Sequence, residues 1–155
     1  MKANTCFFAG HRKLPSKKIE RVIKRLNDEI ENLIHQGVTT FISGGELGFD
    51  QIAASLVVAK KEMGANIRLI FALCRNQDES WTNDQKRLYH SLLFAADEVH
   101  YISGEDNNDC IQKRNHCMID SSAHCICALL QYASNTEQTV RYARKHGLVV
   151  VNVAK

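Results

Sequence analysis

Six short, largely apolar runs alternate along this chain with longer stretches in which apolar residues recur every third and fourth position. No other feature constrains the fold as much. TCFFAG (5–10), VTTFIS (38–43), NIRLIFALC (66–74), EVHYIS (98–103), HCICALL (124–130) and LVVVNV (148–153) have the length and β-branched or aromatic content of strands. Between the first two, Ile19, Val22, Ile23, Leu26, Ile30, Leu33 and Ile34 make one apolar face of a helix that stops at Gly37. Ile52, Ala53, Leu56, Val57 and Ala59 make a second, ending near Gly64. Thr82 and Gln85 have capping-box spacing for a third, and further helices are expected over about 109–120 and 137–146. Crossovers of this length force strands to run parallel, with helices covering both faces of the sheet. The expected fold is an α/β three-layer sandwich with a mostly parallel sheet of about six strands, forming one domain over residues 1–155.

Ligands of such open sheets bind beyond the carboxyl ends of the strands, where strand order reverses. Two segments fall there: Gly10, His11 and Arg12 after the first strand, and SGGELGFD (43–50) after the second. Gly44, Gly45 and Gly48 remove side chains from a strand-to-helix turn at an entropic cost, which implies that something approaches that backbone closely. A phosphate suits the combination, since helix-start amides carry partial positive charge and a guanidinium grips two oxygens. The chain has neither GxGxxG after its first strand nor GxxxxGK[ST] anywhere, so the usual dinucleotide and P-loop signatures are missing.

Each residue also has a plainer role. Ser43 and Asp50 read equally well as caps of backbone amides, with ribose contact the rival for Asp50. His11 can pack as a neutral imidazole and Arg12 can be a surface charge. Trp81 either anchors its loop or stacks on a base. Lys13, Lys17, Lys18, Arg21, Lys24 and Arg25 form the solvated face of the first helix.

Composition narrows the partners. A net charge of +3 permits an anionic ligand, whereas six clustered cations and 7% aromatic residues argue against nucleic acid. Nothing resembles a signal peptide or a membrane span, which implies a cytoplasmic protein with reduced thiols at its six cysteines. His116, Cys117, His124, Cys125 and Cys127 lack metal-ligand spacing, so no metal is expected.

TCFFAGHR, SGGELGFD, Trp81, KRNHCMID and TEQTVRYARKHGL together resemble the YpsA-like branch of the SLOG superfamily over nearly the whole chain. The resemblance implies a Rossmann-like fold binding a nucleotide or its derivative, such as NAD, ADP-ribose or a nucleoside monophosphate, in a sensor or regulator. It also implies that Arg114, Asn115 and Thr136 line the wall opposite the glycine turn, and that helix faces left uncovered pair two copies into a homodimer. Relatives of LONELY GUY type hydrolyse nucleoside monophosphates using RKxxM and PGGxGTxxE segments. Arg114 to Met118 resembles the first, but Ala133 to Thr139 departs from the second, with Gln138 or Thr139 where the acid belongs. Oxocarbenium-like chemistry needs a carboxylate beside the ribose, so hydrolysis is disfavoured, leaving Asp50, Asp120 and Glu137 as candidate acids. Relatives of DprA type act on single-stranded DNA, which stands as a further alternative.

Overall fold

The computed structural model describes residues 2–130 and 134–155. Its strands are β1 (Thr5–Gly10), β2 (Thr40–Ser43), β3 (Arg68–Cys74), β4 (Glu98–Ile102), β5 (His124–Ala128) and β6 (Val149–Asn152). They form one sheet in the order β4-β3-β2-β1-β5-β6, and every adjacent pair is parallel. The helices between them are α1 (Ile19–His35), α2 (Phe49–Glu62), α3 (Asn83–Ala95), α4 (Asn107–Asp120) and α5 (Asn135–Lys145). The expected α/β sandwich is therefore the observed one, with a short 3₁₀ turn at Lys2–Asn4 added before β1.

Side-chain alternation in the strands explains the layers. In β1, Cys6 and Phe8 face a core built with Val22, Leu26 and Ile30 of α1, Ala53 and Val57 of α2 and Leu92 of α3. Phe7 and Ala9 point the other way, against Met118 and Ile119 of α4 and Val140 and Ala143 of α5. The chain winds outward from β1 to β4, then crosses back to β5 on the far side of β1. Because βαβ crossovers keep one hand, reversing the direction of winding moves the later helices to the opposite face. The reversal leaves the ends of β1 and β5 flanked by helices of both layers.

The thiols require a correction. Cys74, at the end of β3, and Cys110, in the first turn of α4, form a disulfide across 36 residues of sequence. The sequence implies six reduced thiols, but α4 crosses over the end of β3 and brings Cys110 to Cys74. Cys6, Cys125 and Cys127 are free and buried, and burial pushes the Cys6 thiol far up. No helix among the described residues is long and apolar enough to cross a membrane.

One glycine explains how closely the loops after β1 and β2 meet. Gly48, the residue before α2, has φ 85° and ψ −125°, and a Cβ on it would lie 2.1 Å from the Arg12 carbonyl oxygen. Gly64 also has positive φ, but a Cβ there would meet nothing within 4 Å. Gly48→Ala is therefore expected to lower stability by about 3 kcal/mol or more, combining backbone strain with overlap, against about 1 kcal/mol for Gly64→Ala. Urea denaturation of the two variants checks the contrast; equal losses would mean that the contact with Arg12 relaxes freely.

Candidate functional site

The carboxyl end of β1 opens into a crevice of about 300 Å³. Its floor is the end of β1, from Phe8 to Arg12; Glu46 and Asp50 line one side and Ile111, Arg114, Asn115 and Met118 of α4 another. The first turn of α5 closes it with Ser134, Asn135, Thr136 and Thr139. Ser134 caps that helix by accepting the Glu137 amide at 3.1 Å. The positive end of the α5 dipole thus faces the crevice.

The glycine turn stands beside this space and is filled by the protein itself. A Cβ on Gly45, whose φ is +70°, would lie 2.7 Å from Leu73, and one on Gly10 would lie 2.4 Å from the Phe49 ring. The turn's amides are also engaged: Gly45 donates to Ser43 Oγ at 3.1 Å, Phe49 to the His11 carbonyl at 3.2 Å, and Glu46 to the Asp50 carboxylate. Gln77 and Arg114 both donate to the Gly44 carbonyl, and Gln51 donates to that of Gly45. What approaches this backbone is the chain's own loops and side chains. Ser43, Gly44, Gly45 and Gly48 accordingly hold the turn together without lining the crevice, whereas Gly10 lines it.

Charge in the crevice is organised around Glu46. Its carboxylate takes Arg12 Nη2 at 2.9 Å and Arg114 Nη1 at 3.0 Å, joining an exposed guanidinium to a buried one. Arg114 also donates to Asn115 Oδ1, and Asn115 donates to Thr139 Oγ1 at 3.1 Å, so the chain of polar contacts spans α4 and α5. His11 accepts the Leu130 amide at Nε2, 3.0 Å away, and burial lowers its pKa; both favour the neutral ring. Asp50 is only 6% exposed, and its Oδ1 has no hydrogen-bond partner among the described residues. Burial pushes its carboxyl up to about 7, against the pull of Arg114 and with the push of Glu46. A buried acceptor left unpaired at the wall of a polar crevice is costly unless a ligand completes it.

Of the remaining residues singled out in the sequence, Arg114, Asn115 and Thr136 line the crevice with His11 and Arg12. Trp81 does not; it is buried edge-on against Tyr89, with ring centroids 5.0 Å apart. Glu137 lies outside the lining, its carboxylate paired with Arg141, and Asp120 is exposed at the far end of α4. Ala133 lies outside the described residues. Glu46 is the functional residue that the sequence analysis does not single out: its place inside the glycine turn is visible in SGGELGFD, but its pairing with Arg12 and Arg114 appears only in the fold.

The raised carboxyl of Asp50 has a testable sign. Between 3.8 and about 7 the folded protein retains a proton that the unfolded chain releases, so this group's contribution to stability falls as pH rises through that window. Asp50→Asn is expected to gain stability relative to the unsubstituted protein on going from about pH 5 to about pH 8, measured by urea denaturation. An unchanged difference between the two pH values would show that Asp50 does not titrate there.

Comparison with known proteins agrees with this architecture. The model of the YspA SLOG family matches residues 9–148. The uncharacterized SPbeta prophage-derived protein YoqJ of Bacillus subtilis (strain 168) is 32% identical over 139 residues, covering 78% of this chain and 81% of that protein. UPF0398 protein BH1768 of Halalkalibacterium halodurans is 31% identical over 86 residues, 55% of this chain and 46% of that protein. Among solved structures, DNA processing protein A of Streptococcus pneumoniae superposes with a TM-score of 0.67 at 17% identity, over 96% of this chain and 49% of that one. The Helicobacter pylori protein of the same name gives 0.65 at 16% identity, over 96% of this chain and 64% of that one, and its structure is described by its single-stranded DNA binding mode. That finding corrects the sequence-based argument against nucleic acid. A protein that contains this fold binds single-stranded DNA, and a mild net charge does not set such a partner aside, because backbone binding depends on a local groove rather than on the whole chain's balance. With nine-tenths of its length matched, the chain belongs to the YspA SLOG family.

Proposed function

We propose that the crevice binds the sugar-phosphate portion of a nucleotide or nucleotide derivative. The observation that carries this reading is the unpartnered, buried Oδ1 of Asp50 in a cavity that also holds two guanidinium groups. The first wants a hydroxyl donor and the second an anion, and a ribose phosphate supplies both. Arg12 and the first turn of α5 would hold the phosphate, which would replace the Glu46 carboxylate on Arg12. Arg114, buried and bonded to Glu46, Asn115 and the Gly44 carbonyl, would position the wall. Asp50 would accept from a sugar hydroxyl. A role as ligand sensor or regulator suits this arrangement better than hydrolysis, since among the described residues Asp50 and Glu46 are the only carboxylates lining the crevice, and Glu46 is already committed to two arginines.

A second reading is supported by the solved structures: a single-stranded DNA segment could lay one of its nucleotides in the same crevice. Its test is fluorescence anisotropy of a labelled oligonucleotide across a salt series. DNA binding predicts a tightening at low salt that Arg12→Ala weakens.

For the preferred reading, calorimetry with nucleoside monophosphates, NAD and ADP-ribose is expected to find a ligand whose affinity drops about tenfold or more in Arg12→Ala, the loss of one charge-assisted contact. Arg12 is 58% exposed, so the variant keeps its fold. Unchanged affinity would remove the clamp assigned to it. Free base released from a monophosphate would overturn the preference for a binder over a hydrolase.

A further inference from the structure

We propose that the groove between α4 and α5 is the base-recognising half of the same site, and that it selects adenine. The inference rests on the sugar-phosphate reading of the crevice and extends it to the ligand's other end. The groove has a volume of about 530 Å³ and shares Ile111, Asn115, Asn135 and Thr139 with the crevice. The Asn115–Thr139 hydrogen bond is the partition between the two spaces.

Their chemistry differs sharply. The crevice carries Arg12, Arg114, Glu46 and Asp50, whereas among the described residues no Asp, Glu, Lys or Arg lines the groove, in a chain that is 24% charged. Five amide side chains line it instead: Asn108, Gln112, Asn115, Asn135 and Gln138. Those of Asn108, Gln112 and Gln138 have no hydrogen-bond partner among the described residues, so donors and acceptors stand ready on both helices. His116 and Tyr142 bound the groove as a stacked pair, with ring centroids 4.2 Å apart and planes 12° from parallel.

A charged space joined to a neutral, amide-lined one matches a nucleotide, whose phosphate is ionic and whose base is a flat pattern of donors and acceptors. The side-chain types point to one base. Guanine is matched by Arg or Lys and cytosine by Asp or Glu, and the groove has none of these; Asn and Gln match the adjacent donor and acceptor of adenine.

The test is calorimetry with AMP, GMP, CMP and ribose 5-phosphate on the full chain and on a Gln112→Ala/Gln138→Ala variant. Both glutamines are exposed on helix surfaces, so the substitutions spare the core. The unsubstituted protein is expected to bind AMP about tenfold or more tightly than GMP, CMP and ribose 5-phosphate, within the range of one amide–base pair. The variant is expected to lose that advantage while its affinity for ribose 5-phosphate stays the same. Equal affinity for AMP and ribose 5-phosphate in the unsubstituted protein would overturn the groove assignment and leave the crevice reading intact. A preference for AMP that survives in the variant would overturn it too. If none of the four probes binds, the groove assignment falls, and the crevice reading falls with it unless NAD or ADP-ribose binds.

Discussion

The site depends on how closely two loops meet. The segment after β1 and the first turn of α2 are in backbone contact, with Gly48 against the Arg12 carbonyl, Gly10 against the Phe49 ring, and the Phe49 amide bonded to the His11 carbonyl. No side chain fits in that interval. Close packing of this kind transmits position rigidly. It fixes where the β1 loop projects Arg12, and it sets the entry of α2 so that Asp50, one residue after Phe49, falls at the crevice wall.

On that scaffold the charges form a graded series. Arg12 is exposed, Glu46 is mostly covered and Arg114 is buried, so a single carboxylate links the solvent side of the crevice to its interior. Removing Glu46 would leave the buried Arg114 without its counter-charge, whereas removing exposed Arg12 leaves the Glu46–Arg114 pair in place. On the proposed reading, an anion entering the crevice competes with Glu46 for Arg12 and does not fill an empty seat, which favours ligands carrying more charge than a single carboxylate. Neutral His11 adds no charge, and its acceptor nitrogen is taken by the Leu130 amide.

The fold was legible in the sequence because each level of the pattern agreed with the next. Apolar runs gave strands, three-and-four spacing gave helices, and crossover length gave parallel pairing. The capping box at Thr82 and Gln85 forms as read. The site was legible only in outline. Gly44, Gly45 and Gly48 signalled a close approach, but a string of residues does not say whether a ligand or the chain's own atoms will come near. Trp81 sits on a loop in sequence yet is drawn inward by Tyr89, a partner on the next helix. Cys74 and Cys110 are 36 residues apart, and only the passage of α4 over β3 makes them a pair. Glu46 is not marked in the sequence because its importance comes from two arginines distant in sequence from each other.

The strand order has a further consequence, for the order in which the molecule can be made. β1 is central and lacks one of its two neighbours until β5 arrives, with Phe8 opposite Ile126. A ribosome releases the chain from its amino end, so the first four strands emerge with one flank of β1 bare. The crevice needs that pairing and the first turn of α5 as well. It is among the last features to exist on a newborn chain, and a polypeptide interrupted before residue 124 contains the glycine turn and both arginines but no enclosed space between them.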